Sequence, residues 1–275
     1  MNKKILFILA LVLVSLMMIG SVSAGWFDFL SNNDSNQTAN DENTLIVGFD
    51  AEFPPYGYKD DSGNYTGFDL ELAQEVCKRN NWTFVAQPID WDAKDAELDS
   101  GSIDCIWNGF TIDGREKDYT WSNPYFDNKQ IFVVRADSGI NSIDDLKGKT
   151  VETQKDSSAL AALSGDNKSI ADTFAQLNQV ADYNTAFMDL ESGACDAVAM
   201  DIGVAEYDIS KSNSTDFVIL NESITTEKYG IGFKLGNDAL KDKVQATLDE
   251  MFKDGTVDKI AQKYGISSDA LIPPK

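Results

Sequence analysis

Leu45-Ile46-Val47-Gly48-Phe49 runs directly into Asp50-Ala51-Glu52-Phe53-Pro54-Pro55-Tyr56, and the reading of this join decides the fold. The first five residues are an apolar run of strand length. The two prolines lack an N–H and fix φ, so neither helix nor ladder continues through them. A rigid loop therefore leaves the C-terminal end of a buried strand. Asp60-Asp61-Ser62-Gly63 supplies a turn, and residues 69–80 carry Leu72, Ala73, Val76 and Cys77 at helical spacing. Strand returns at 83–86 and a short helix at 93–98. A buried strand follows at 103–107, ending in Asn108-Gly109-Phe110-Thr111.

The order β, α, β, α, β implies a largely parallel sheet with helices on both faces. The pattern then restarts: strand at 131–135, short helix at 143–146 closed by Gly148, strand at 150–153, helix at 157–163, strand around Val180, helix at 185–192 and strand at 197–200. A strand at 229–233 precedes a helix at 238–253 with Leu240, Val244, Leu248, Met251 and Phe252 on one stripe. A last helix at 257–264 stops at Gly265. No internal repeat stands out. Two α/β units side by side enclose a cleft, and open sheets of this class bind ligands outside the carboxyl ends of their strands.

Ahead of this fold, Lys3 and Lys4 followed by the apolar run 5–19 and Val22-Ser23-Ala24 read as a signal peptide, or as a membrane anchor if uncleaved. Either way residues 1–24 export the chain to the periplasmic or extracellular face. No Cys stands beside the cleavage site to carry a lipid. Residues 25–43 read as a flexible linker, with an unassigned apolar patch at Trp26, Phe27, Phe29 and Leu30. The net charge of −22 repels phosphate backbones and argues against nucleic acid. Cys77, Cys105 and Cys195 fall in apolar patterns and read as buried small hydrophobes, with a Cys77–Cys105 bond left open. Seven N-x-S/T sequons fit either a glycosylating cell surface or plain abundance of Asn and Ser.

The chain of 275 residues contains no histidine. That removes Ser-His-Asp and Cys-His nucleophile systems, HExxH metal sites and imidazole acid-base chemistry. Phosphate-binding glycine loops are missing as well, so the expectation is a non-enzyme without cofactor or metal. Post-strand positions instead supply what a zwitterion needs away from water: a guanidinium for a carboxylate, a carboxylate for an ammonium, and an aromatic wall. Thr111 and Arg115 follow the strand ending near Trp107. Asp201 follows Val198-Ala199-Met200, Asp50 and Phe53 follow the first strand, and Trp91 follows Pro88-Ile89-Asp90. Gln154 to Ser158 stand where a strand meets a helix N-terminus.

At these residues the chain resembles the extracellular solute-binding proteins of polar amino-acid ABC importers, family 3. Gly67-Phe68-Asp69-Leu70-Glu71-Leu72, continuing to Asn80, fits the family signature. Ordered matches extend from Leu45 to the C-terminus, among them Asp104 to Ile112, Ser142 to Lys149, Asp196 to Asp201 and Tyr229-Gly230-Ile231. The resemblance implies a two-lobed α/β fold of the periplasmic-binding-protein-like type II, with two Rossmann-like lobes on a two-strand hinge. Lobe 1 would be 44–127 plus 228–275, and lobe 2 residues 128–227.

It also implies roles. Arg115 would fork onto a ligand carboxylate, helped by Thr111 and the backbone near Asn108 and Gly109, and Asp201 would take the ammonium. Trp91 and Phe53 would sandwich the side chain, with Asp50 at its polar end and Gln154 and Ser158 reaching from lobe 2. Asp50 favours glutamine or a basic amino acid. The partner would be an ABC permease and the protein a monomer. One departure is that Thr111-Ile112-Asp113-Gly114-Arg115 is one residue shorter than in many relatives, a gap Gly114 has the freedom to close. Gly67 to Leu72 reads as a helix start, Arg115 fits an ion pair with Glu116 or Asp118, Asp201 fits a helix cap, and Trp91 fits the core. A dehydratase acting on prephenate-like acids and a receptor sensor domain are the competing functions.

Overall fold

The computed structural model describes residues 43–212 and 215–275. The leader, residues 25–42 of the linker and the sequon at Asn213 lie outside them. The chain begins with β1 (Thr44–Phe49), then β2 (Glu52–Phe53), β3 (Gly57–Lys59) and β4 (Tyr65–Thr66), and α1 (Phe68–Asn80). The join read as loop does leave β1, but β2, β3 and β4 pair into a small antiparallel sheet. Its strands of two or three residues are too short to show a pattern in sequence, and β2 ends at Phe53, immediately before the prolines.

Helix α1 starts where Gly67 takes φ 138, a position at which a Cβ would sit 2.2 Å from the Tyr56 carbonyl. Asp69 and Glu71 lie in its first turn and Lys78 and Arg79 in its last, as the helix dipole favours. Then come β5 (Thr83–Pro88), α2 (Lys94–Ser100), β6 (Cys105–Ile106), β7 (Thr120–Trp121) and β8 (Phe126–Arg135). The second half contains β9 (Thr150–Gln154), α3 (Ser158–Ser164), α4 (Lys168–Ala171), β10 (Gln176–Val180), α5 (Tyr183–Ser192), β11 (Ala197–Asp201) and α6 (Ile202–Ser212). β12 (Phe217–Tyr229), β13 (Gly232–Phe233), α7 (Asp238–Lys253) and α8 (Thr256–Lys263) complete it.

Two five-stranded sheets result, ordered β5-β1-β6-β13-β7 and β10-β9-β11-β8-β12. Each has three parallel strands continued by two antiparallel pairings, through β13 in one sheet and β8 in the other, so the pairing is mixed rather than largely parallel. In both, the chain goes from the central parallel strand to one neighbour through helix and then to the other. The topology therefore repeats although the sequence does not. Reversal of direction about β1 and about β9 creates a switch point at the carboxyl end of each sheet.

The chain passes between the sheets twice, from β7 to β8 and from β12 to β13. The strand read as 229–233 is divided for that reason: Tyr229 pairs with Phe126 in one sheet, while Gly232 pairs with Ile106 and Trp121 in the other.

Both faces of each sheet are covered, which is why the strands read as continuous apolar runs. In β8, Ile131 and Val133 join the main core with Val198 and Met200, while Phe132 and Val134 face Val151, Leu163 and Ala199. Leu45, Val47 and Phe49 of β1 pack with α1 and α7 residues such as Leu72, Val76, Val244 and Leu248. Each such side chain contributes roughly 1.5–3 kcal/mol on burial. All three cysteines are buried thiols without a disulfide. Among the described residues no helix is long and apolar enough to cross a membrane.

Candidate functional site

Asp50 is the first residue past β1. Its carboxylate accepts from the Glu52 N–H at 2.8 Å and from Gln154 Nε2 at 2.6 Å, the latter at the end of β9 in the other sheet. Burial pushes this carboxyl up to about 6 against the pull of both bonds. The Asp50 N–H is held by Asn108 Oδ1 at 2.8 Å, which fixes the loop after β6 to the loop after β1.

That second loop bends at Gly109, with φ +55 and a would-be Cβ 2.8 Å from the Phe53 ring. Its N–H donates to Asp69 Oδ2 at 2.6 Å, and Tyr125 donates its hydroxyl to the other Asp69 oxygen at 2.8 Å. The first turn of α1 thus holds the loop from beneath, and burial pushes Asp69 up to about 7. Gly109 lines the cleft but spends its N–H on Asp69, so it offers a ligand surface and not a donor.

Arg115 reaches the same cleft. Gly114, in the segment before it, adopts φ 82, a conformation that favours glycine. The Arg115 guanidinium lies 5.3 Å from the Phe110 ring centroid and donates to the carbonyls of Thr111 at 3.3 Å and Asp156 at 3.1 Å. Among the described residues no carboxylate forms an ion pair with it, Glu116 and Asp118 included. Trp91 stands edge-on to Phe110 at 5.5 Å and also packs on the cluster around Leu98 and Ile103, so wall and core roles coincide there.

From the other sheet, Gln154 ends β9, Ser157 caps α3 by accepting from the Leu160 N–H, and Asp201 ends β11. Asp201 accepts from Asn128 Nδ2 at 2.7 Å and from the Tyr229 hydroxyl. Burial first, and the Glu227 carboxylate second, hold Asp201 well above the usual carboxylate range. Ser158 donates to Glu227 rather than to anything on the first sheet.

Asp50, Phe53, Trp91, Asn108, Gly109, Thr111, Arg115, Gln154, Ser158 and Asp201 all line one cleft, joined by Ser157. Further ties cross between the two halves: Lys94 with Asp156, Asn184 with Glu52, and Arg115 with the Asp156 carbonyl. Sequence reasoning passed over Glu227, Asn128 and Lys94, and it read Asp69 only as a helix start. Asp69 shares the stripe of Leu72, Ala73 and Val76, and that spacing was the available signal.

Comparison with known proteins places this geometry in context. The model of the bacterial extracellular solute-binding proteins, family 3, matches residues 45–267. The L-cystine-binding protein TcyJ of Escherichia coli K12 is 31% identical over 224 residues, covering 80% of this chain and 82% of that protein. An ABC uptake transporter substrate-binding protein from Streptococcus pneumoniae, solved with bound histidine, superposes with a TM-score of 0.78 at 32% identity, covering 87% of this chain and 95% of the other. The ancestral amino acid-binding protein AncCDT-1, a precursor of cyclohexadienyl dehydratase, gives a TM-score of 0.73 at 31% identity, covering 81% and 95%.

Proposed function

This chain belongs to the bacterial extracellular solute-binding proteins, family 3, and from that premise we propose that it captures a polar α-amino acid, glutamine or a basic one, and delivers it to the permease of an ABC importer. The observation that carries the reading is the lining of one cleft by the Arg115 guanidinium, from the loop after β6 and without a carboxylate partner among the described residues, and by the Asp201 carboxylate at the end of β11. A zwitterion satisfies both: its carboxylate accepts the two-pronged guanidinium and its ammonium meets Asp201. Trp91 and Phe53 flank the side chain. Asp50 takes a donor at its far end in exchange for Gln154, which favours an amide or cationic side chain over a carboxylate.

In this proposal residues 44–127 plus 228–275 move as one lobe and 128–227 as the other, hinged on the β8–β12 pair. The protein acts as an exported monomer, released or tethered through residues 1–24, and it is not an enzyme. Calorimetry against the standard amino acids tests the reading, and silence across the panel sinks it. Arg115→Ala should weaken binding by about 2–5 kcal/mol, the usual loss when one partner of a buried charged pair is removed, while thermal unfolding stays that of the parent.

A second reading, a dehydratase acting on prephenate-like acids, draws support from the likeness to AncCDT-1 and from Asp50, whose carboxyl at about 6 is suited to proton transfer. Against it, a dicarboxylate substrate would face both Asp50 and Asp201. Product formation from prephenate or arogenate would establish it.

A further inference from the structure

Behind Asp201 lies a second buried carboxylate, Glu227 of β12, that the reading above leaves unused. Asp201 and Glu227 are each 4% exposed. One nitrogen, Asn128 Nδ2, donates to Asp201 Oδ1 and to Glu227 Oε1 at 2.7 Å each, so the two oxygens are no farther apart than those two bonds end to end. Gln130 Nε2 adds a bond to Glu227 at 2.8 Å, and Ser158 donates to its other oxygen. The donors are all neutral, and among the described residues neither carboxylate has a Lys or Arg partner. Both amides spend their N–H groups on the pair and leave Asn128 Oδ1 and Gln130 Oε1 without partners.

We infer that Asp201 and Glu227 form one paired-carboxylate seat, bridged by Asn128, which holds a proton and releases it to solvent when the ammonium of an amino acid arrives, with Glu227 as a positioning residue behind Asp201. The inference rests on reading the cleft as an amino-acid site. Two buried negative charges this close, without a cation, are relieved either by a proton or by a positive ligand. The protein's other groups facing the pair do not relieve it. The phenols of Tyr56, Tyr183 and Tyr229 are all pushed up, chiefly by burial, and remain neutral. Asp69 and Glu206, which bear on Tyr56, are acidic themselves. Arg115, the cation lining the cleft, is tied to the carbonyls of Thr111 and Asp156.

The test is calorimetry of the full chain with L-glutamine and L-arginine in buffers of different ionisation enthalpy across pH 5 to 9, which counts protons released per ligand bound. About one proton is expected near neutral pH, as for any strongly coupled pair that gives up its shared proton. In Glu227→Gln, which retains an acceptor for Asn128 and Gln130, the count should fall toward zero, and Glu227→Asp should restore it. A purely structural Glu227 would change affinity or stability without moving the count. No release by the parent, or an unchanged count in Glu227→Gln, overturns the inference. Carboxyl ¹³C NMR of the protein without amino acid separates the two levels. Asp201 should titrate well above the ordinary carboxylate range and shift down in Glu227→Gln. If that shift appears and neither amino acid binds, the transport reading falls while the coupled pair stands; if it does not appear, the pair itself is refuted.

Discussion

Replacing Asp50 with asparagine should stabilise the protein at neutral pH and remove one component of its pH dependence. The carboxyl titrates near 6 in the folded chain against an ordinary 3.8. Between those values the native state holds a proton that the unfolded state has released, so stability falls as pH rises through that window and levels off above it. At about 1.36 kcal/mol per pH unit, the interval amounts to about 3 kcal/mol. Asparagine has the same shape and accepts from the Glu52 N–H through Oδ1. Its amide must then face Gln154, which turns over and gives up the 3.1 Å bond to the Ala181 carbonyl. That bond is worth about 1 kcal/mol, leaving a net gain of about 2 kcal/mol at pH 7. Urea denaturation of both proteins from pH 4 to 8 reads the difference directly. It should be smallest at pH 4 and grow through pH 6. A difference independent of pH, or an asparagine variant less stable at pH 7, refutes the argument that burial of this charge opposes folding.

Asp69→Ala leaves the Gly109 N–H and the Tyr125 hydroxyl without acceptors in the core; about 2–4 kcal/mol should be lost in denaturant unfolding, and ligand affinity should fall with it because the loop carrying Thr111 loses its support. Lys94 is 1% exposed and pairs with Asp156, with Asp95 farther off at 3.5 Å. Asp156→Ala leaves that buried ammonium only the longer contact with Asp95 and should destabilise by about 1–3 kcal/mol, whereas Lys94→Met, which removes the charge itself, should lose less. Equal losses in the two variants, compared by denaturant midpoints, would contradict this order.

The cleft was legible in sequence because its residues stand where strands end. Asp50 and Asp201 each close an apolar run, Gln154 stands where a strand meets a helix N-terminus, and alternation of strand and helix predicts which ends converge. Glu227 was not legible, and the reason is local. Along β12 the buried positions are Leu220, Ile224, Glu227 and Tyr229. Two register shifts between Ile219 and Thr225 break the alternation, so counting by twos from Leu220 places Glu227 on the outer face. Gly109 was legible only in part: the sequence marks a flexible turn but does not say that its N–H points to Asp69. The internal repeat was hidden because topology, not residue identity, is what the two halves share.

Burial of carboxylates has a consequence for the molecule as a whole. A chain without imidazoles would ordinarily have almost no buffering capacity between pH 6 and 7. Here Asp50 at about 6 and Asp69 at about 7 occupy that interval once the chain is folded. Unfolding returns them to water, where they ionise. A weakly buffered solution held near pH 6 should therefore turn more acidic as the protein melts, making the hydrogen-ion concentration itself a reporter of the native state.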